Sequence, residues 1–528
     1  MRSSTPYAPS GADKGFFGHP RALGPLFFTE MWERFSFYGV RPMLVLFMAA
    51  PLLSGGLGFD AKTAAAIVGI YGGAVYLAAL PGGWLADNWL GQRRAVWYGS
   101  ILIALGHLSI ASSALVGPVT FFVGLILIVM GTGLFKTCIS VMVGSLYDED
   151  DARRDGGFAI FYMGINLGSL VAPLLTGWLM ETRGWHWGFA TGGTGMLVAL
   201  ILFRLWAVPA MRRADAARER PSSWDAPAVK RRHVGKFVLA AVALVAAMVI
   251  LVATGIVRIN PRAVAEAMTS VLILCSLVFF VYLLFFSGLD GKERKRVAVC
   301  LILVVAGACF WAAFEQQPTS YNLFAAQYTD RSAFDREIPT LWFQSLNPIF
   351  IVLLGPLFGW LWPALGRRRL EPGSPVKFVL GLLLAAIGFG IMVLAARQVI
   401  SSNGLVSPLW IVGSMLLLTL GELCLSPVGL STMSGLSPQR TQGQLMGLWF
   451  TGAALGNLVA GLIGGHVNPE ELQQMPELFA RSAIALVIFA MILLLLAPVF
   501  KRMLRHNRII DPRASAEGGA EATIRPGV

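Results

Sequence analysis

Charge is scarce in this sequence. Asp, Glu, Lys and Arg make up 13% of its 528 residues, against about 25% in a soluble domain, which excludes an ordinary soluble fold. Cysteine is sparse too. Cys138, Cys275, Cys300, Cys309 and Cys424 all fall in apolar segments without paired loop spacing. They read as buried small residues, neither disulfides nor metal ligands. There is no His-rich cluster, no Gly-x-Ser-x-Gly and no Cys/His ligand spacing, so an integral-membrane enzyme is not expected, and neither is a metal or resident cofactor. The first twenty residues are polar and Gly/Pro-rich without an apolar core, so no cleavable signal peptide is expected. What the chain has in abundance is apolar length: 56% apolar residues and a mean hydropathy of +0.67.

About twenty apolar residues span the hydrocarbon of a bilayer. By that rule the chain contains fourteen spans, near 23–53, 62–86, 95–115, 119–146, 157–180, 187–207, 235–256, 265–287, 297–323, 340–362, 377–397, 407–433, 443–466 and 480–502. An even count puts both termini on one side. The net charge of +13 would suggest nucleic acid in a soluble protein, but here the cations lie between apolar spans, so no nucleic-acid partner is expected. Connection 208–236 carries Arg212, Arg213, Arg218, Arg220, Lys230, Arg231, Arg232 and Lys236, whereas the connections on the other side are sparse, with Lys62 in the first of them and Arg183 in the third. The excess on alternate connections predicts cytoplasmic termini.

The seventh and eighth spans are plainly apolar, flanked by basic linkers, and free of inward-looking charge. An all-α membrane fold of two six-helix bundles plus an inserted two-helix hairpin follows. The expected boundaries are an N-terminal segment 1–22, a bundle 23–207, a basic linker 208–234, the hairpin 235–287, a bundle 288–505 and a disordered tail 506–528. Transporters built from six-helix halves place their substrate at the midplane between them.

One stretch inside the first span breaks the apolar pattern: Glu30-Met31-Trp32-Glu33-Arg34-Phe35-Ser36-Phe37-Tyr38-Gly39-Val40-Arg41. A charge at the bilayer centre costs roughly 2.5–3.5 kcal/mol on insertion scales, so such residues usually face a cavity. At 3.6 residues per turn Glu30, Glu33, Arg34, Phe37, Tyr38 and Arg41 share one face. The opposite face (Phe28, Met31, Phe35, Leu44, Leu46) can meet lipid or apolar helices. An amphipathic surface helix is the bland alternative, and apolar residues on both sides of the charges argue against it.

Further motifs follow in order. Gly83-Trp84-Leu85-Ala86-Asp87-Asn88-Trp89-Leu90-Gly91-Gln92-Arg93-Arg94 is similar to the loop signature of the major facilitator superfamily. There Gly83 would let helices approach closely, and Asp87 and the arginines would form a charge latch. Glu-x-x-Glu-Arg-Phe-x-x-Tyr-Gly resembles the first-helix signature of the proton-dependent oligopeptide transporters. Gly131-Thr132-Gly133-Leu134-Phe135-Lys136, Phe161–Leu170 with Asn166 and Pro173, Phe310–Gln317 with Trp311 and Glu315, and Gly421-Glu422 with Ser426-Pro427 resemble later motifs of that family. The chain departs from it at Thr137-Cys138 after the lysine and at Phe37 before Tyr38.

The resemblance implies a bacterial-type, proton-coupled importer of di- and tripeptides, a monomer in the cytoplasmic (inner) membrane, driven by the proton gradient. Arg34 and Lys136 would hold the peptide carboxylate, a role that suits the guanidinium fork. Glu422, with Asn166 and Asn347, would hold its amino terminus. Tyr38, Tyr76, Trp311 and Trp449 would form tolerant walls, with Arg41 and Ser426 also at the site; plain helix packing is the alternative for the aromatics, and a helix–helix hydrogen bond for Asn166. Glu30, Glu33 and Glu315 would carry proton coupling, with Arg41 pairing with Glu315 across the halves as a gate and Lys136 pairing with a first-helix glutamate. Which glutamate takes the proton stays open, and static ion pairs are the alternative. A related transporter of another small anion (nitrate-like) or of a modified amino acid is the runner-up, and a passive channel or receptor the reading from another class. His186 and His466 are expected near span ends, and Pro173, Pro318, Pro348 and Pro427 as helix kinks.

Overall fold

Fourteen long helices follow from the apolar runs, each closing its backbone hydrogen bonds internally as a bilayer requires. The computed structural model describes residues 15–148, 151, 153–217, 224–227, 233–333, 336–368, 370–436, 442–464 and 469–504. The first half holds α1 (Leu23–Ala49), α2 (Ala61–Leu85), α3 (Gln92–Ala111), α4 (Pro118–Gly144), α5 (Arg154–Arg183) and α6 (Trp185–Leu202). A hairpin follows, α7 (Val234–Ala253) and α8 (Pro261–Phe285). The second half holds α9 (Gly291–Phe314), α10 (Leu346–Arg367), α11 (Ser374–Ser402), α12 (Leu409–Leu436), α13 (Gln442–Gly464) and α14 (Met475–Leu504). Thirteen of the membrane-crossing segments are apolar enough to span by composition; α1 is as long but carries Glu30, Glu33, Arg34 and Arg41. The expected tail 506–528, His466 and most of the segment 1–22 lie outside the described residues. We call the side where α1 begins and α14 ends the terminal face and the other the distal face.

The ends of the elements differ from the apolar reading where polar caps decide. α9 begins six residues before the expected span, because Asp290 and Glu293 form a capping box around its start. It stops at Phe314, where Pro318 falls in a wider turn, Gln317–Tyr321, before a short helix, Asn322–Tyr328. Pro348 occupies the first turn of α10, where a missing N–H is no loss, so it does not kink the helix. Pro173 and Pro427 are interior. A two-residue hairpin, β1 (Ser332–Ala333) with β2 (Arg336–Glu337), decorates the distal side, with Ser332 opposite Glu337. Cys275 is exposed on α8, contrary to the expectation of burial, while Cys138, Cys300 and Cys424 are buried.

Small residues set the tightest crossings, as membrane helices without a hydrophobic drive require. A Cβ on Gly99 would lie 2.6 Å from the Gly131 carbonyl oxygen, and one on Gly106 2.7 Å from that of Gly124, which joins α3 to α4. The same seven-residue device recurs in the second half: Gly381 against Gly421 and Gly388 against Ser414 join α11 to α12. Gly82, not Gly83, makes the close approach of α2 to α4. A Cβ there would lie 2.0 Å from the Gly133 carbonyl oxygen, whereas one on Gly83 would meet Thr137 at an ordinary 3.5 Å. Gly82→Ala is therefore expected to cost about 1–3 kcal/mol or more. Thermal unfolding of the purified protein checks this, with Gly83→Ala melting like the wild type.

The charge latch of the α2–α3 connection is formed differently from the sequence expectation. Asp87 accepts from Gln92 Nε2 at 2.7 Å. Arg93 pairs instead with Asp225 in the segment joining the halves, and Arg212 reaches the other oxygen of Asp225 at 3.3 Å. That segment is no plain surface linker. Helix continues from α6 through Ala217, and Trp224, 1% exposed, docks on the first half. Its indole donates to Asp215 at 2.7 Å, and its carbonyl accepts from the Arg93 N–H at 3.0 Å. Gly91, at φ +79°, lets the backbone turn beneath Asp225 and Ala226. Partial burial opposes ionisation of Asp225, but hydrogen bonds and charge from Arg93 and Arg212 outweigh it and hold the carboxyl below the usual range.

Candidate functional site

α1 lies inside the first half, packed on α5, α6 and α2, so its non-polar face meets helices and not lipid. Phe35 and Leu44 are buried there; Phe28 and Met31 are half-buried. The charged face looks toward the second half. Between the halves lies a cavity of about 290 Å³. From the first half it is lined by Glu30, Arg34, Tyr38, Arg41, Tyr76, Lys136 and Asn166; from the second by Trp311, Glu315, Asn347, Glu422, Ser426 and Trp449. Every expected site residue lines this one space except Glu33, which is 1% exposed and sits against Arg34 outside the lining.

Arg34, 3% exposed, is the centre of the first-half wall. Its Nε lies 2.5 Å from Glu33 Oε2 and 3.1 Å from Glu30 Oε1. Both contacts are ion pairs set off the hydrogen-bonding line. Arg34 Nε and Nη2, Glu30 Oε2 and both Glu33 oxygens consequently lack a hydrogen-bond partner among the described residues. Buried polar groups are seldom left so. Arg34 also lines the cavity, and a guanidinium fork there is suited to a carboxylate or phosphate guest.

Lys136 does not pair with a first-helix glutamate in this conformation. Its ammonium stands over the Tyr76 ring, 4.1 Å from the centroid, and among the described residues it has no ion-pair partner. Both glutamates are taken by Arg34, which leaves the lysine to the ring face. Phe37 does not line the cavity; it stacks on Tyr71 at 6.0 Å and touches both Arg34 and Arg41 with its ring.

Across the cavity, Arg41 Nη2 donates to Glu315 Oε2 at 2.5 Å, joining the halves as expected. Its second acceptor, Asn457 Oδ1 at 2.6 Å, was not identified from the sequence. A signal existed: Asn457 follows Trp449 by eight residues, on the same face of α13. On the second half's wall, Asn347 Nδ2 donates to Glu422 Oε2 at 2.9 Å and to Thr419 at 3.1 Å. Asn166, which lines the cavity, donates to the Tyr162 carbonyl in its own helix. Tyr162 also lines the cavity, one turn before Asn166 in a motif whose aromatic the sequence reading did not assign.

The two walls are electrically opposite. Arg34, Arg41 and Lys136 come from the first half, with Glu30 partly compensating; the second half contributes Glu315 and Glu422 and no lining cation. Such a site suits a guest with an anionic and a cationic end.

Polar contacts between the halves cluster toward the distal face. Asn322 donates to the Pro42 carbonyl at 2.6 Å, Ser345 to that of Leu170 at 2.8 Å, and Trp342 to that of Leu174 at 3.0 Å. Arg331 pairs with Glu181 at 3.2 Å. Gly69 of α2 abuts Gly461 of α13 on the same side, with a built Cβ 2.8 Å from the Gly461 Cα.

Known proteins resemble this chain in sequence and fold. The family description "POT family" matches residues 93–477. The peptide transporter YePEPT of Yersinia enterocolitica subsp. palearctica is 58% identical over 96% of this chain and 99% of its own length. A di-/tripeptide transporter of Lactococcus lactis subsp. cremoris is 37% identical over 93% of this chain and 98% of its own. The crystal structure of a peptide transporter POT in complex with sulfate superposes with a TM-score of 0.83 at 38% identity, covering 93% of this chain and 97% of that one.

Proposed function

The chain belongs to the POT family, and from that premise we propose that it imports di- and tripeptides with protons across the bacterial cytoplasmic membrane. The carrying observation is the pairing of opposite walls on one cavity: Arg34 and Lys136 on one side, and Glu422 held by Asn347 on the other. A peptide carboxylate would lie at Arg34 and Lys136, and its ammonium at Glu422 with Asn166 and Asn347. The half-polar rings of Tyr38, Tyr76, Trp311 and Trp449 would accept side chains of varied size.

The orientation follows from the basic connections: the terminal face is cytoplasmic. The distal contacts would then form the outer seal, and a cavity that communicates inward fits this reading. Protonation of Glu315 would release Arg41 and loosen the distal seal, while Glu30 and Glu33 would set the charge that Arg34 offers the peptide. Alternating access needs such a ligand-dependent preference between two states. The proton gradient is the driving force, and no resident cofactor enters the cycle.

Reconstituted protein should accumulate a labelled dipeptide when the outside is acid, lose that accumulation on adding a protonophore, and be competed by unlabelled tripeptides. Accumulation indifferent to the protonophore would reject proton coupling. Transport that peptides do not compete would favour the second reading, a small amino-acid-like zwitterion. A solved POT family transporter in complex with 5-aminolevulinic acid, 30% identical to this chain, gives that reading its support.

A further inference from the structure

A second pocket lies well away from the transport cavity, where α3 and α6 meet on the terminal face. It encloses about 210 Å³, and its polar lining is Arg93, Arg94 and Arg204, with Trp97, Tyr98 and Phe203 completing the wall. Arg93 is engaged by Asp225. Arg94 and Arg204 have no hydrogen-bond or ion-pair partner among the described residues, and Asp225 is spent on Arg93 and Arg212. Three arginines, two of them exposed and unpaired among the described residues, thus line a space with no carboxylate in its lining.

The pocket opens beside lipid-facing surface. Tyr98, Leu105 and Leu108 of α3 and Leu197, Ile201 and Leu205 along the α6 segment are all exposed. Trp and Tyr at a pocket of this kind mark the headgroup level of a bilayer. We propose that this pocket binds the phosphate of an anionic phospholipid, whose acyl chains run along the exposed α3 and α6 stripes. The chemistry is the fork of Arg nitrogens around phosphate oxygens, in a basic pocket between membrane helices of the sort that takes anionic headgroups. Free phosphate shares that chemistry but lacks the chains, so it gains nothing from the apolar stripes.

The full-length protein in non-ionic detergent is titrated with phosphatidylglycerol, and retained lipid is counted by native mass spectrometry. Phosphatidylglycerol should be retained over phosphatidylcholine of equal chain length. Arg94→Gln with Arg204→Gln should weaken retention about thirty-fold, at the strength per cation usual for anionic membranes. Arg367→Gln with Arg368→Gln, the same charge change elsewhere on the terminal face, should leave it unaltered. Equal retention of the two lipids, or undiminished retention by the pocket variant eluting and melting as the wild type, would overturn the assignment. So would displacement of the lipid by inorganic phosphate, which would make the site one for a free anion.

Discussion

Arg34→Ala is expected to reduce proton-driven dipeptide uptake by about a hundred-fold or more, with protein still inserted and monodisperse. Truncating one member of a buried, charged contact costs about 2–5 kcal/mol, and each 1.4 kcal/mol is about a factor of ten. The loss is double here. The peptide carboxylate loses the Arg34 guanidinium, and Glu30 and Glu33, 3% and 1% exposed, lose their shared counter-charge. Arg34→Lys separates the two effects, because it keeps the charge and removes the fork. It should recover part of the gradient-driven rate at a raised half-saturating peptide concentration. Wild-type uptake by Arg34→Ala would remove this residue from the binding site.

Glu315→Gln is expected to abolish accumulation against a gradient while leaving peptide exchange across the membrane measurable. The amide can still accept from Arg41, so the helices stay in place, and Asn457 keeps its 2.6 Å contact. What goes is the charge that a proton would cancel. Breaking a buried ion pair costs about 3–5 kcal/mol. The distal seal, in which this pair is the charged contact nearest the cavity, would weaken accordingly. Counterflow in proteoliposomes without a pH gradient reads exchange, and uptake with the gradient reads coupling. A variant that still accumulates peptide under an imposed gradient would exclude Glu315 from coupling.

Much of this was legible in the sequence because membrane physics leaves few options. Charges inside an apolar run need a cavity, and the run around Arg34 had one. The Arg41–Glu315 and Asn347–Glu422 pairs were within reach once the motifs were matched. Other features depended on geometry that spacing does not encode. Lys136 is long and flexible, and whether it meets a glutamate or the Tyr76 ring depends on which partner Arg34 has already taken. Gly82 and Gly83 are adjacent small residues, and the rotation of α2 alone decides which faces Gly133. Asp87 looked like the partner of Arg93 because it is near in sequence, whereas Asp225 arrives from beyond α6. Asn457 was hidden by the apolar average of its helix.

The seat of Trp224 has a mechanical consequence. Trp224 and Asp225 are fastened to the first half, so this part of the connection between the bundles moves with that half. The hairpin is not loaded wholly on either half. α8 rests on both α2 and α13, along the line where Gly69 and Gly461 touch. The connection is therefore clipped to one body at Trp224, and the hairpin lies as a cleat across the joint. Relative movement is steered along that joint.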